Sequence, residues 1–150
     1  MSPAKRKPIS ADNKKLPSLT DAQIEVMQVV WDRKRVSVSD VWETLRNDRE
    51  IARNTVLTVM DRLAKKGWLV KTVIGKMNFY EAAVGQQETL GRMISRLVDG
   101  AFSGSVDRLM LALLDTRGIS TDEADRIEKM IHQSRKESVA KRKRNTKRPS

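Results

Sequence analysis

Cysteine is absent from this chain of 150 residues. Its absence excludes disulfides, thiolate metal sites and cysteine nucleophiles together, and it fits a reducing cytosol. No stretch approaches the run of about 18 apolar residues that a membrane span requires. The opening Met1-Ser2-Pro3-Ala4-Lys5-Arg6-Lys7-Pro8 lacks the apolar segment of a signal peptide. A soluble, cytoplasmic protein is the expectation. Catalytic equipment is scarce as well. The single histidine, His132, adjoins an apolar helical position and reads as a surface or interface residue. Asp122, Glu123 and Asp125 read as the acidic start of a helix, and no phosphate-binding glycine loop occurs. Neither an enzyme nor a metal or cofactor site is expected. Apolar residues make up 39% of the chain, which allows one or two small domains and no single large core.

What the chain has in excess is positive charge. The formal net charge is +11, and it is unevenly placed. Residues 1–17 carry +4 and residues 135–150 carry +7, so residues 18–134 are neutral as a whole. Within that neutral middle, residues 51–76 hold six Lys/Arg against one acid, Asp61, while the stretches on either side are net negative. Positive charge gathered into one segment of a neutral domain points to a polyanionic partner.

The same segment contains the most informative helix, spanning 51–67. Val56, Val59, Met60 and Leu63 fall at i, i+3, i+4 and i+7 and make one core-seeking face. Asn54, Thr58, Asp61 and Lys65 lie opposite, flanked by Leu57 and Arg62. Gly67 supplies a left-handed residue to end the helix, and Lys65 and Lys66 complement the dipole in its last turn. Small hydrogen-bonding side chains near the start and basic ones near the end suit a helix laid into a DNA major groove. An ordinary amphipathic surface helix would show the same periodicity.

Two helices precede it. Thr20 and Gln23 form a capping box, with Leu19 and Ile24 as hydrophobic staple, and Ile24, Met27, Val30 and Trp31 form the inward stripe of a helix ending near Asp32 or Arg33. Ser37 and Asp40 repeat the box, with Val36 and Val41 as staple and with Val38, Val41, Trp42 and Leu45 lining a helix that ends near Asn47 or Asp48. The third helix has only Ala52 at its cap position, a poor capping residue. After Gly67, two β-favouring runs, Trp68 to Ile74 and Met77 to Ala82, are joined through Gly75-Lys76, which suits a type II′ hairpin. Three short helices followed by a hairpin is the order of a winged helix.

From Gln86 the pattern is helical again. Leu90, Met93, Ile94, Leu97, Val98 and Ala101 form one stripe, and Val106, Leu109, Met110, Leu113 and Leu114 a second. Ser120 and Glu123 start a last helix with Ala124, Ile127, Met130 and Ile131 inward. About fifty residues with three such stripes have too little mass to bury them. A second copy of the chain is the simplest cover, and folding back onto the N-terminal domain is the other. The expected architecture is mainly α with a small β-hairpin: a flexible basic arm (1–17), a winged helix-turn-helix domain (18–84), a helical dimerisation domain (85–137) and a flexible basic tail (138–150).

Leu19 to Asp32, Val36-Ser37, and above all Asn54-Thr55-Val56-Leu57-Thr58-Val59 leading to Arg62-Leu63 and Lys66-Gly67, resemble the penicillinase and methicillin-resistance repressor family. Phe79-Tyr80 and Phe102-Ser103-Gly104-Ser105-Val106 continue the likeness, which covers about residues 19–137. The resemblance implies a homodimeric repressor on a pseudo-palindromic DNA operator, with the third helix of each protomer in a major groove. It carries Arg53, Asn54, Thr55, Thr58 and Arg62 over as DNA-facing residues. Asn can pair with adenine, Thr can touch a thymine methyl, and Arg can reach guanine or phosphate. Lys65, Lys66, Lys71 and Lys76 are expected on phosphates. Asp61 would meet phosphate repulsion unless Arg62 or Lys65 neutralises it, or it could accept a hydrogen bond from cytosine. The dimer-interface residues expected are Leu90, Met93, Ile94, Leu97, Val98, Val106, Leu109, Met110, Leu113, Ile127, Met130 and Ile131.

The chain departs from the family in two places. Lacking cysteine, it cannot sense copper through thiolates as the copper-responsive branch does. In the antibiotic-responsive branch a membrane sensor protease is implied to cleave an Asn-Phe bond, and Arg96-Leu97 stands there in this chain. Two other readings fit the basic tails and the winged helix: a nonspecific DNA-coating protein and a winged-helix protein-interaction module.

Overall fold

The computed structural model describes residues 16–146. Helix α1 (Asp21–Arg33) begins at the expected capping box: the Gln23 backbone N–H donates to Thr20 Oγ1 at 3.2 Å and the Thr20 N–H donates to Gln23 Oε1 at 2.9 Å. It ends at Lys34, a non-glycine residue at φ 73°, ψ −57°. A two-residue strand, β1 (Arg35–Val36), follows. Helix α2 (Val38–Leu45) starts at the second box, between Ser37 and Asp40. Helix α3 (Arg53–Lys65) starts at Ala52, which makes no side-chain cap bond. At its other end Trp68 N–H donates to Leu63 O at 2.9 Å and Gly67 N–H to Ala64 O at 3.2 Å, with Gly67 at φ +94°. This paired closure satisfies two carbonyls of the last turn and needs the left-handed residue that glycine supplies.

Strands β2 (Leu69–Ile74) and β3 (Met77–Ala82) pair antiparallel, with Ile74 opposite Met77, which leaves Gly75-Lys76 as the two-residue turn. Gly75 has φ +65° and Lys76 is not among the positive-φ residues, in keeping with the type II′ turn. The expectation of a simple hairpin is corrected in one respect. Strand β1 adds to β3 through Arg35↔Glu81 and Val36↔Tyr80, making a three-stranded sheet of order β1-β3-β2. Val36 is thereby a buried strand residue as well as the residue before a cap. Two residues are too few for an alternation pattern to reveal.

The core lies among α1, α2, α3 and the base of the sheet, with Met27, Val30, Val41, Val56, Met60, Leu63, Leu69 and Tyr80 sealed from solvent. Each of the three tryptophans donates its indole N–H to a main-chain carbonyl. Trp31 reaches Val84 O at 2.8 Å, Trp42 reaches Ile51 O at 2.9 Å and Trp68 reaches Pro17 O at 3.1 Å. These bonds tie α1 to the exit of β3, α2 to the entry of α3, and the wing base to the start of the described chain. Residues 16 and 17, assigned above to a flexible arm, are therefore part of the domain, and Leu16 packs against its core. Residues 1–15 of that arm lie outside the described residues.

Helix α4 (Gln86–Ala101) follows. The chain divides into two compact units after Arg96, later than the boundary expected at residue 84. The reason is local. Thr89 is buried with its hydroxyl donating to Gly85 O at 2.8 Å, and Arg96 Nη1 donates to Ser18 Oγ at 2.6 Å, so the first part of α4 belongs to the winged domain. In the second unit, α5 (Val106–Thr116) is capped by Ser105 and α6 runs over Thr121–Thr146, where Ser120 Oγ accepts from the Glu123 N–H at 3.1 Å. The expected tail of 138–150 is thus helical as far as Thr146. Its Lys, Arg, Ser and Ala residues sustain a helix, no Gly or Pro interrupts before Pro149, and Lys143 and Arg144 complement the dipole in the last turn. Residues 147–150 lie outside the described residues. No helix among those described is long and apolar enough to cross a membrane.

Candidate nucleic-acid interface

Helix α3 divides as its periodicity predicts. Val56, Met60 and Leu63 are fully buried and Val59 is half-buried, while Arg53, Asn54, Thr55, Leu57, Thr58 and Arg62 are exposed. Anchoring three apolar residues in a close-packed core fixes the rotation of the helix about its axis, and so decides which side chains face outward.

The turn that delivers α3 is held from several sides. Trp42 of α2 bonds Ile51 O, the Arg46 guanidinium lies 4.5 Å from the centre of the Trp42 ring, and Arg49 pairs with Glu25 of α1 at 3.4 Å. Arg53 donates through Nε and Nη2 to Ser39 Oγ on α2, at 3.3 and 3.2 Å. That contact, made across fourteen positions of sequence, had no signal in the sequence. It holds the first side chain of α3 against the first turn of α2 and leaves other guanidinium N–H groups for an acceptor such as phosphate.

Two further features refine the outer face. The Thr58 hydroxyl donates to Asn54 O at 2.9 Å, so its proton is committed while its oxygen remains an acceptor and its methyl an apolar contact. Asp61 Oδ2 lies 3.2 Å from Lys65 Nζ. The one carboxylate on the exposed side of the helix is therefore paired within its own helix, four residues on, with Lys65 rather than Arg62 of the two basic neighbours considered for it. Arg62, Lys66, Lys71 and Lys76 are exposed, the last two on the hairpin, so the basic residues of 51–76 stand on one unit with Asn54 and Thr58. Leu57, 39% exposed between them, adds an apolar side chain that can meet a thymine methyl. Charge also reaches inward: Tyr80, buried on β3, has its pKa raised above 10.0, first by burial and then by the Asp61 carboxylate. Among the described residues no group of His, Asp or Glu is arranged to hold a metal ion.

In the helices beyond the wing, Leu90, Val98, Leu109, Met110 and Ile127 are half-buried, and Met93, Ile94, Leu97, Val106, Leu113, Met130 and Ile131 are exposed. Leu111, 66% exposed, and Val139 were not among the interface residues expected. Arg96 and Leu97 lie within α4.

A family model described as penicillinase repressor matches residues 19–133. The chain is 24% identical over 125 residues to the penicillinase repressor of Bacillus licheniformis, covering 82% of this chain and 98% of that protein. It is 31% identical over 119 residues to the transcriptional regulator BlaI of Mycobacterium tuberculosis (strain ATCC 25618 / H37Rv), covering 78% of this chain and 85% of that one. Among solved structures, the DNA-binding domain of the repressor BlaI is similar at 27% identity, with a TM-score of 0.45 over 49% of this chain and 89% of that domain.

Proposed function

Since the chain belongs to the penicillinase repressor family, we propose that it is a sequence-specific DNA-binding transcriptional repressor that acts as a homodimer on a pseudo-palindromic operator. The observation that carries this reading is the outer face of α3, where Asn54, Leu57 and Thr58 are exposed above a buried Val56-Met60-Leu63 anchor. Asn54, Thr58 and Leu57 read base edges in the major groove. Arg53, Thr55 and Arg62 reach phosphate or a flanking base, and Lys66, Lys71 and Lys76 hold phosphates. Lys65 contributes partly, because Asp61 already engages it.

Residues 97–146 supply the reason for a homodimer. Neither α5 nor α6 has a buried residue among those described, yet Val106, Leu111, Leu114, Met130 and Ile131 are all large, apolar and exposed. A second copy covers such surface with like surface and gives the twofold symmetry that a dyad operator matches. Paired recognition helices then address half-sites about one helical turn, 10–10.5 bp, or a multiple of it apart.

The test compares two substitutions in the full-length protein. Thr58→Ala should relax base preference at one position in each half-site, by about 1–3 kcal/mol of discrimination. Lys76→Ala should weaken binding to all sequences alike and lower the salt slope by about 0.9 for each phosphate no longer neutralised. Equal weakening of every sequence by both would exclude base readout by α3.

A further inference from the structure

Helix α6 changes character along its length. Residues 121–128 hold four acids, Asp122, Glu123, Asp125 and Glu128, against Arg126, whereas residues 129–144 hold seven Lys/Arg against Glu137 alone. That carboxylate already accepts from Gln133 Nε2 at 3.2 Å. Burial changes as well: Ala124 and Ile127 are half-buried, and every residue from Glu128 to Arg144 is exposed. The match to the penicillinase repressor family stops at residue 133. The most basic stretch, with Arg135, Lys136 and the run Lys141 to Arg144, lies outside that match.

The helix itself does not account for this charge. Its dipole favours cations in the last turn only, and Arg135 and Lys136 stand about three turns before Thr146. Lys141 and Arg144 are three positions apart, a spacing at which like charges repel. The distribution of side chains narrows the partner. A membrane surface or a partner helix needs an apolar stripe, and past Ile131 the one large apolar side chain is Val139. At about 100° per residue, Arg135, Lys136, Arg144 and Lys141 fall near 0°, 100°, 180° and 240°, on all sides of the axis. Phosphates attract a cation wherever it is presented and ask for no apolar face. Among polyanions, DNA is the one that the outer face of α3 suits.

We propose that the basic extension of α6, residues 134–146, is a second DNA-binding element, which grips backbone phosphates left free by α3 and the wing and reads no bases. The stretch is about 20 Å long, the length of about six base pairs. The inference rests on the repressor reading for its choice of DNA, and it deepens that reading by dividing the work. The α3 face sets which sequence is bound, and the extension adds affinity for any duplex and lengthens the DNA covered.

The test combines Arg135→Gln, Lys136→Gln, Lys141→Gln and Arg144→Gln in the full-length protein. Glutamine is a good helix former and all four positions are exposed, so thermal melting and sedimenting mass should match wild type. A duplex recovered by wild-type protein from a random-sequence pool is used at two lengths, with flanks and trimmed to the selected bases. The variant should weaken on selected and unrelated duplexes by the same factor, so that the ratio between them is kept. Its slope of log Kobs against log salt should fall by about 0.9 for each phosphate released, up to about 3.6 per protomer. Flanks should tighten binding by wild type and add little for the variant. If wild type selects a sequence and the variant keeps its slope to within about 0.9, one phosphate, the extension is overturned and the repressor reading stands. If no sequence is enriched, the repressor reading falls; a slope lost in the variant then still assigns the extension to DNA, and a slope kept overturns both. Two further results would make the proposal wrong. A kept slope with phosphatidylserine vesicles bound by wild type but not by the variant would assign the stretch to a membrane surface. A variant of lower sedimenting mass would make it a dimer contact.

Discussion

Asp61→Asn should tighten binding to every DNA sequence and steepen its dependence on salt. The carboxylate sits on the exposed side of α3, 3.2 Å from Lys65 Nζ, with the two side chains 45% and 76% exposed. An exposed pair at this spacing stabilises a helix by only about 0.3–0.5 kcal/mol, so its removal leaves the fold intact. The effect on DNA is larger. The substitution deletes one negative charge near the phosphates and releases one lysine to displace a counterion. Each further phosphate neutralised changes the slope of log Kobs against log salt by about −0.9. Whatever the gain at low salt, it should therefore shrink by roughly threefold between about 50 and 200 mM salt. Fluorescence anisotropy titrations of a labelled duplex across that range measure both quantities. An unchanged slope would place Asp61 and Lys65 away from DNA. A loss of affinity confined to sequences with cytosine at one position would show that Asp61 accepts from a base, and the neutralisation argument would fail.

Three further outcomes follow from the winged domain. Ala52→Ser supplies the cap that α3 lacks and should raise stability by about 1 kcal/mol in denaturant unfolding, against no gain if the extended Ala52 backbone cannot present the hydroxyl. Lys34→Gly relieves a side chain held at φ 73° and should stabilise by about 1 kcal/mol, with an unchanged or lower melting temperature counting against strain there. Tyr80 binds its proton more tightly folded than unfolded, so its contribution is full below pH 10.0 and is lost as pH rises from there through the folded value. Tyr80→Phe should flatten that alkaline decline in thermal melts, and an identical decline in both proteins would assign it elsewhere.

The parts of this molecule that could be read from residues alone are those decided within a few positions. The Thr20–Gln23 and Ser37–Asp40 boxes, the missing cap at Ala52, the Gly67 ending and the Gly75-Lys76 turn all depend on side chains three or four residues apart. Burial of Val56, Met60 and Leu63 follows from one helical period, and so does the exposure of Asn54 and Thr58. Contacts across longer separations were hidden. The pairing of β1 with β3, the Arg53–Ser39 bond and the Arg96–Ser18 bond that draws the start of α4 into the winged domain have no local signature. The helical stretch 138–146 was obscured for a different reason: its charge density resembles that of a disordered tail, while its residues are adequate helix formers. At the wing, β-favouring residues on either side of Gly75-Lys76 marked the strands but could not say that Ile74 and Met77 lie beyond the reach of the core.

The central claim is that two copies of α3 lie in successive major grooves. Dimethyl sulfate protection reports it most directly, since the reagent methylates guanine N7 in the major groove. On a selected duplex the full-length protein should protect guanines in two patches, about 10–10.5 bp or a multiple of it apart, related by the dyad, and Asn54→Ala should lose the sequence dependence of that protection. Guanine N7 atoms left fully reactive under saturating protein, or a single patch with no symmetry mate, would contradict it.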